Sequence, residues 1–235
     1  MPETVAIIGA GPLGRWLALA AARAGFRVLL EDVMPANLHH AQDWLRGELG
    51  AGLRPTGSLN PVGDGEAGPS TPHPSDEDLS PGTPTALRSA QDDKAQLAAE
   101  GGSFVGVTFV STIEDAVREA DLAIDCVPDE LESKLEILWL LDRMAPPRTV
   151  LATPTTRLSI TDLASCTYRP EKCIAIVAEA GDLTGNAEAG SEGREILLRT
   201  TGRTARETVE LVEGFWRGLG FLPVFEIERV AQGLS

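Results

Sequence analysis

A chain of 235 residues with 43% hydrophobic content is long enough for one good-sized domain with a buried core, or one domain and a short appendage. Its formal net charge of −15 repels nucleic acid and anionic membrane surfaces, so neither is expected as a partner. Three cysteines, Cys126, Cys166 and Cys173, show no metal-type spacing, and neither a secretory signal nor a membrane-spanning apolar run is present. The expectation is a soluble cytoplasmic protein with reduced thiols and no metal site.

Val5-Ala6-Ile7-Ile8 is a short apolar run ending at glycine, as a buried parallel strand does. Residues 13–24 are rich in Ala and Leu, and Gly25 stands where a helix C-terminal glycine belongs. Residues 26–30 form a second apolar strand, ending in Glu31-Asp32. Strand, helix and strand within about 30 residues make a βαβ crossover. Pro35 opens a further helix to residue 49. Residues 55–84 then hold seven prolines and almost no large apolar side chains. Such a segment buries too little to offset its ordering entropy, so 53–85 reads as a mobile insertion within a single domain spanning 1–235. A substrate lid or a partner-binding loop is the functional alternative for it.

A polar helix is expected at 86–100, and strands at 104–110, 121–127, 149–153, 172–178, 195–200 and 221–226. Ser111-x-x-Glu114 and Thr204-x-x-Glu207 read as capping boxes opening helices at 112–120 and 205–218. Residues 130–144 are the remaining strong helix, stopped by Pro146-Pro147. This alternation predicts an α/β fold: a Rossmann-type doubly wound, mostly parallel sheet with helices on both faces.

Gly9-Ala10-Gly11-Pro12-Leu13-Gly14 is a Gly-x-Gly-x-x-Gly turn between the first strand and helix. The first glycine permits the tight turn, the second admits a pyrophosphate close to the backbone, and the third lets helix and strand pack closely. Free N–H groups and the positive dipole end of the helix would face the phosphates, and Pro12 costs nothing in that first turn. Asp32, 18 residues past Gly14, would accept hydrogen bonds from the adenosine ribose hydroxyls. Glu31 is the alternative for that role, since alternation points only one of the two at the ribose. A 2′-phosphate would be repelled there, which favours NAD over NADP. FAD is the competing cofactor on this motif alone.

Three stretches then resemble a known family, the NAD-binding domain of 3-hydroxyacyl-CoA dehydrogenases. They are Val5-Ala-Ile-Ile-Gly-Ala-Gly-Pro-Leu-Gly-Arg15 continuing to Val28, Ala120-Asp-Leu-Ala-Ile-Asp-Cys-Val-Pro-Asp-Glu-Leu-Glu-Ser-Lys134, and Leu151-Ala-Thr-Pro-Thr-Thr-Arg-Leu-Ser-Ile-Thr-Asp-Leu163. The resemblance covers roughly residues 4–50 and 104–228 and implies NAD, because flavoproteins lack the second and third stretches. It implies cofactor contacts at Cys126, Val127, Pro128 and Thr153, with Asp129 and Lys134 reaching the nicotinamide half.

The family's chemistry is mostly missing. Its base is a histidine in a His-Phe-Phe-Asn-Pro run, and Val177 aligns with that histidine. Leu197 aligns with the glutamate that orients it. Pro154 replaces an asparagine of the strand-to-helix turn, and Thr156 a serine whose hydroxyl could reach a substrate carbonyl or cap a helix. Glu179 is the nearest replacement base, with Asp182 or a partner residue behind it. His39 and His40 read as solvent-facing, and His73 falls in the insertion. Family members continue into a helical domain that completes the substrate cleft and forms the dimer, and this sequence ends at Ser235, where that domain would begin. The leading expectation is an NAD(H) sensor or docking module without hydroxyacyl dehydrogenase activity. A protein partner, or self-association, is expected at the edge that the helical domain would cover. The alternative is an NAD-dependent dehydrogenase of a hydroxyacyl or other hydroxy substrate with a replaced base.

Overall fold

The computed structural model describes residues 1–51, 103–104, 106–178, 183 and 193–228; the expected insertion at 53–85 and helix at 86–100 lie outside them. The chain opens with β1 (Thr4–Ile8), α1 (Pro12–Arg23), β2 (Arg27–Glu31) and α2 (Pro35–Ala51). There follow β3 (Ser103–Phe104), β4 (Val107–Val110), α3 (Ile113–Val117), β5 (Leu122–Asp125), α4 (Leu131–Met144), β6 (Val150–Pro154) and α5 (Ile160–Ser165). A 3₁₀ turn (Pro170–Lys172) leads into β7 (Cys173–Val177), then β8 (Arg194–Thr200), α6 (Arg206–Gly218) and β9 (Phe221–Ile227).

Among the described residues the strands form one sheet in the order β3-β4-β2-β1-β5-β6-β7-β8-β9. Only β3–β4 and β7–β8 are antiparallel. This is the doubly wound Rossmann arrangement. The chain winds outward from β1 through β2 to β4, then returns to β5 on the other side, which opens a crevice at the carboxyl ends of β1 and β5.

The alternation of side chains along a strand divides the core in two. Val5 and Ile7 of β1 pack with Leu17, Leu30, Leu38, Phe215 and Trp216, under α1, α2 and α6. Ala6 and Ile8 pack with Leu29, Leu138, Leu141 and Leu163, under α3, α4 and α5. Both faces of the parallel strands are covered, which explains why they read as unbroken apolar runs.

Three local expectations are corrected. The strand expected at 104–110 is split into β3 and β4, and Gly106 between them has a φ of +86°, which favours glycine. The cap of α3 is Thr112, one residue later than expected: its hydroxyl accepts the Asp115 N–H at 3.1 Å. Helix α6 starts at Arg206 after Ala205, with no side-chain cap, because the Thr204 hydroxyl is used elsewhere. It accepts the Thr201 N–H at 2.9 Å and donates to the Cys173 carbonyl at 3.2 Å.

The C-terminal end of α4 is closed by one side chain from a distant turn. Pro146 follows the helix, so its last carbonyls need outside donors. Arg169 supplies them, donating to the carbonyls of Asp142, Ala145 and Pro146 and to Asp142 Oδ1 at 2.7 Å. The Asp142 side chain is 2% exposed and its second oxygen accepts the Tyr168 N–H at 2.9 Å. Replacing Arg169 by Met leaves that carboxylate buried without its cation. The expected outcome is a loss of about 3–5 kcal/mol, read as a lowered urea midpoint with an unchanged slope.

Candidate functional site: a cleft at the glycine turn

The site begins where β1 stops. Gly9 turns with a φ of +106°, and its N–H donates to the Glu31 carbonyl at 2.8 Å. A Cβ on Gly14 would lie 1.8 Å from the Gly9 carbonyl oxygen, so only glycine lets α1 approach β1 this closely. A Cβ on Gly11 would meet nothing within 4 Å. No protein neighbour requires glycine there, and the open space lies in the cleft. Gly11 is also the N-cap of α1, and no side chain caps that terminus. Its first-turn N–H groups therefore stand available to an anion, as a dinucleotide's pyrophosphate requires.

The cleft, about 750 Å³, is walled by four segments. They are the glycine turn (Gly9, Gly11, Pro12, Leu13), the end of β2 with its loop and the first turn of α2 (Glu31, Asp32, Val33, Met34, Asn37), the end of β5 (Cys126, Val127, Pro128, Asp129) and the end of β6 (Pro154, Thr155, Thr156, Arg157). Ala178, just past β7, completes the far end.

Asp32 is only 6% exposed and is already engaged. Its Oδ2 accepts the Ala10 N–H at 2.7 Å, and its Oδ1 accepts the Met34 N–H at 2.8 Å and the Asn37 side-chain amide at 3.0 Å. It thus ties the glycine turn to the end of β2. A carboxylate has about four lone-pair sites, so these bonds leave capacity toward the cleft.

Gly14, Lys134 and Thr153, expected as cofactor contacts, stand behind the wall rather than in it. Gly14 is buried against Gly9. Thr153 is fully buried on β6. The Lys134 ammonium sits 2.6 Å from Asp125 Oδ1 and 3.3 Å from the Val127 carbonyl, with both side chains essentially inaccessible. The resemblance implied that Lys134 reaches the nicotinamide half. The buried carboxylate of Asp125, whose own pKa burial pushes up and Lys134 pulls down, draws it inward instead. Burial also pushes the Cys126 thiol up, so this cysteine is a protonated wall residue.

At the far end, Val177 and Leu197 are direct partners in the antiparallel β7–β8 pair. Directly opposed residues share a face, so the two side chains meet. Both are only half-buried. Thr156 is exposed in the cleft wall, and its N–H donates to Asp129 Oδ2 at 3.3 Å. Glu179 and Asp182 lie outside the described residues. His39 and His40 are exposed on α2, away from the cleft lining. Sequence reasoning did not single out Val33, Met34, Asn37 or Arg157. The signal for Arg157 was its place in the stretch that follows β6.

The loop after β6 is held by Glu228, the residue that follows β9. Glu228 accepts hydrogen bonds from Ser159 Oγ at 3.0 Å, the Ile160 N–H at 3.2 Å and the Thr161 N–H at 2.8 Å, at the start of α5. Burial raises its pKa, but these donors more than offset that, and the carboxyl titrates below its ordinary value.

Residues 4–56 and 84–176 match the family model of the 3-hydroxyacyl-CoA dehydrogenase NAD-binding domain. The chain belongs to this family. Its cofactor is accordingly NAD, and the open space at Gly11 and the uncapped start of α1 fit that dinucleotide. A probable 3-hydroxybutyryl-CoA dehydrogenase of Bacillus subtilis is 27% identical over 174 residues, covering 74% of this chain and 47% of that protein. The 5-formyl-3-hydroxy-2-methylpyridine 4-carboxylate 5-dehydrogenase of Mesorhizobium japonicum is 24% identical over 224 residues, covering 95% of this chain and 57% of that one. The solved structure of (S)-3-hydroxybutyryl-CoA dehydrogenase from Ralstonia eutropha superposes with a TM-score of 0.67 at 19% identity, over 97% of this chain and 65% of that one. The chain thus spans about half the length of the curated relatives it matches. No helix among the described residues is long and apolar enough to cross a membrane.

Two substitutions separate the roles of the glycines in this NAD-binding domain. Gly11→Ala is expected to leave thermal stability unchanged while lowering NADH affinity about tenfold or more, measured by calorimetric titration. Gly14→Ala is expected to cost about 3 kcal/mol or more of stability, measured by urea unfolding, because its methyl has no room. Glu228 gives a pH signature. Its folded pKa lies below the ordinary 4.5, so its contribution is complete above 4.5 and is lost as pH falls through the folded value. The wild-type melting temperature should therefore fall more steeply below pH 4.5 than that of Glu228→Gln.

Proposed function

We propose that this domain holds NAD(H) without carrying out hydroxyacyl dehydrogenation, and acts as a sensor of the bound cofactor. One observation carries the reading: Val177 faces Leu197 across β7 and β8, the two positions that the sequence resemblance aligns with a catalytic histidine and its orienting glutamate. NAD supplies a hydride acceptor when bound. Oxidation of a hydroxyl also needs a base within hydrogen-bond reach of its proton, and neither valine nor leucine accepts one. Meanwhile the parts that suit the cofactor are kept. The glycine turn and the uncapped start of α1 favour the pyrophosphate. Glu31 and Asp32 at the end of β2 favour a ribose with free hydroxyls over one bearing a 2′-phosphate. The same reading includes a contact face at the β9 edge, where Leu222 and Val224 are exposed, and a cytoplasmic setting, supported by three free cysteines.

Calorimetric titration of NAD, NADH, NADPH and FAD, with a coupled turnover assay, tests this. NADH should bind, NADPH about tenfold or more weakly, and Asp32→Ala should lower NADH affinity by a similar factor while its melting curve stays cooperative. Acetoacetyl-CoA mixed with NADH and the protein should leave NADH absorbance unchanged. Binding of no nucleotide, or steady oxidation of NADH by acetoacetyl-CoA, would overturn the proposal.

A further inference from the structure

The cleft offers an anion two places, and only one is claimed by the dinucleotide. The start of α1 suits the pyrophosphate. The other place is Arg157, the one basic side chain among the described residues that line the cleft. The other charged groups that line the cleft are carboxylates: Asp129 beside it, and Glu31 and Asp32 at the opposite end. Strand order separates β2, which carries Glu31 and Asp32, from β6, which leads to Arg157, by three strand spacings. At about 4.8 Å per spacing, Arg157 stands some 14 Å across the sheet from the adenosine end.

Its geometry is that of a held but incompletely used guanidinium. The turn that carries it is fixed by Thr155, whose buried hydroxyl accepts the N–H groups of Arg157 at 3.3 Å and Leu158 at 3.0 Å. One terminal nitrogen, Nη2, donates to the Asp129 carbonyl at 2.8 Å. The Asp129 carboxylate lies 3.8 Å from Nε, an ion pair too long for a hydrogen bond. Asp129 Oδ2 is also shared with the Thr156 N–H. Nη1 has no partner among the described residues. With the side chain 73% exposed, the contact with Asp129 is weak and displaceable, whereas a carboxylate taken bidentately gains two charge-assisted bonds.

The surroundings describe the rest of such a ligand. Ala178 lines both this cleft and a second cavity walled by Val177, Leu197 and Val224. Val177, Ala178, Leu197 and Val224 give that adjoining cavity an apolar side, with Arg194 and Glu195 on the rest of its wall.

We propose that Arg157 anchors a second ligand in this cleft, a small carboxylate whose apolar carbon body lies over Ala178 and Val177 beside bound NAD(H). The inference rests on the reading of the cleft as an NAD(H) site and extends it. The domain then senses cofactor and carboxylate together, and by linkage any factor by which one ligand changes the other's affinity is returned in equal measure.

The test is calorimetric titration of butyrate, and of its neutral isostere butyramide, into the NADH-saturated full chain at constant ionic strength. Wild-type protein, Arg157→Gln and Arg46→Gln are compared; Arg46 is an exposed arginine on α2. Butyrate should bind at least about tenfold more tightly than butyramide to wild type and to Arg46→Gln. In Arg157→Gln the two should bind alike, with NADH affinity within about twofold of wild type. Equal binding of butyrate and butyramide by wild type, or butyrate binding unaffected by Arg157→Gln, overturns the inference and leaves the NAD(H) reading standing. Failure of NADH to bind wild type overturns both.

Discussion

The cleft depends on how closely α1 approaches β1. At Gly14 the approach leaves no room for even a methyl group, because the carbonyl of Gly9 occupies the position a Cβ would take. That contact brings the open N-terminus of α1 to the carboxyl end of the sheet, where the strand order reverses. Asp32 then fixes the turn from the other side by accepting the Ala10 N–H, so that β1, α1 and β2 hold the loop at three points. The phosphate site is a consequence of this packing rather than of any charged side chain.

A second constraint works beneath the floor. Asp125 and Lys134 form an ion pair with almost no solvent contact, and Lys134 also holds the Val127 carbonyl. The desolvation of two charges offsets much of their attraction, so the pair is a weak source of net stability. Its effect is positional. It joins the first turns of α4 to the end of β5 and so sets the course of the wall from Cys126 to Asp129. The Thr153 hydroxyl is buried beside Asp125 and, with Lys134, pulls that carboxyl's pKa down against the larger upward push of burial. The floor is thus polar inside an otherwise apolar sheet.

The two ends of the cleft differ in chemistry. The end at β2 carries two acids and a tethered turn, suited to hydroxyl groups. The end at β6 carries one cation, Arg157, and Ala178 leads from it to an adjoining cavity walled by Val177, Leu197, Arg194 and Glu195 among others. In the family this end holds an ionisable pair that the resemblance assigns to proton transfer. Here the antiparallel pairing of β7 and β8 sets two apolar side chains, Val177 and Leu197, opposite each other.

Much of this was legible in the residues. The glycine spacing, the apolar runs and the acid at the end of β2 are local signals, and each strand or helix they predict is short enough to be set by its own periodicity. The alignment of Val177 with a histidine and Leu197 with a glutamate was likewise a matter of sequence. That the two meet was decided by the antiparallel reversal of β8, a register no local pattern encodes. Lys134, which the resemblance aimed at the nicotinamide, is turned inward by Asp125, nine positions away. Arg157 gains meaning only when the ends of four strands converge around it. The sequence alone determined the glycine turn, the family and most of the elements, though not the break at Gly106 or the caps of α3 and α6. Tertiary structure decided which charges are buried and which face the cleft, because burial depends on neighbours brought together by packing rather than by sequence.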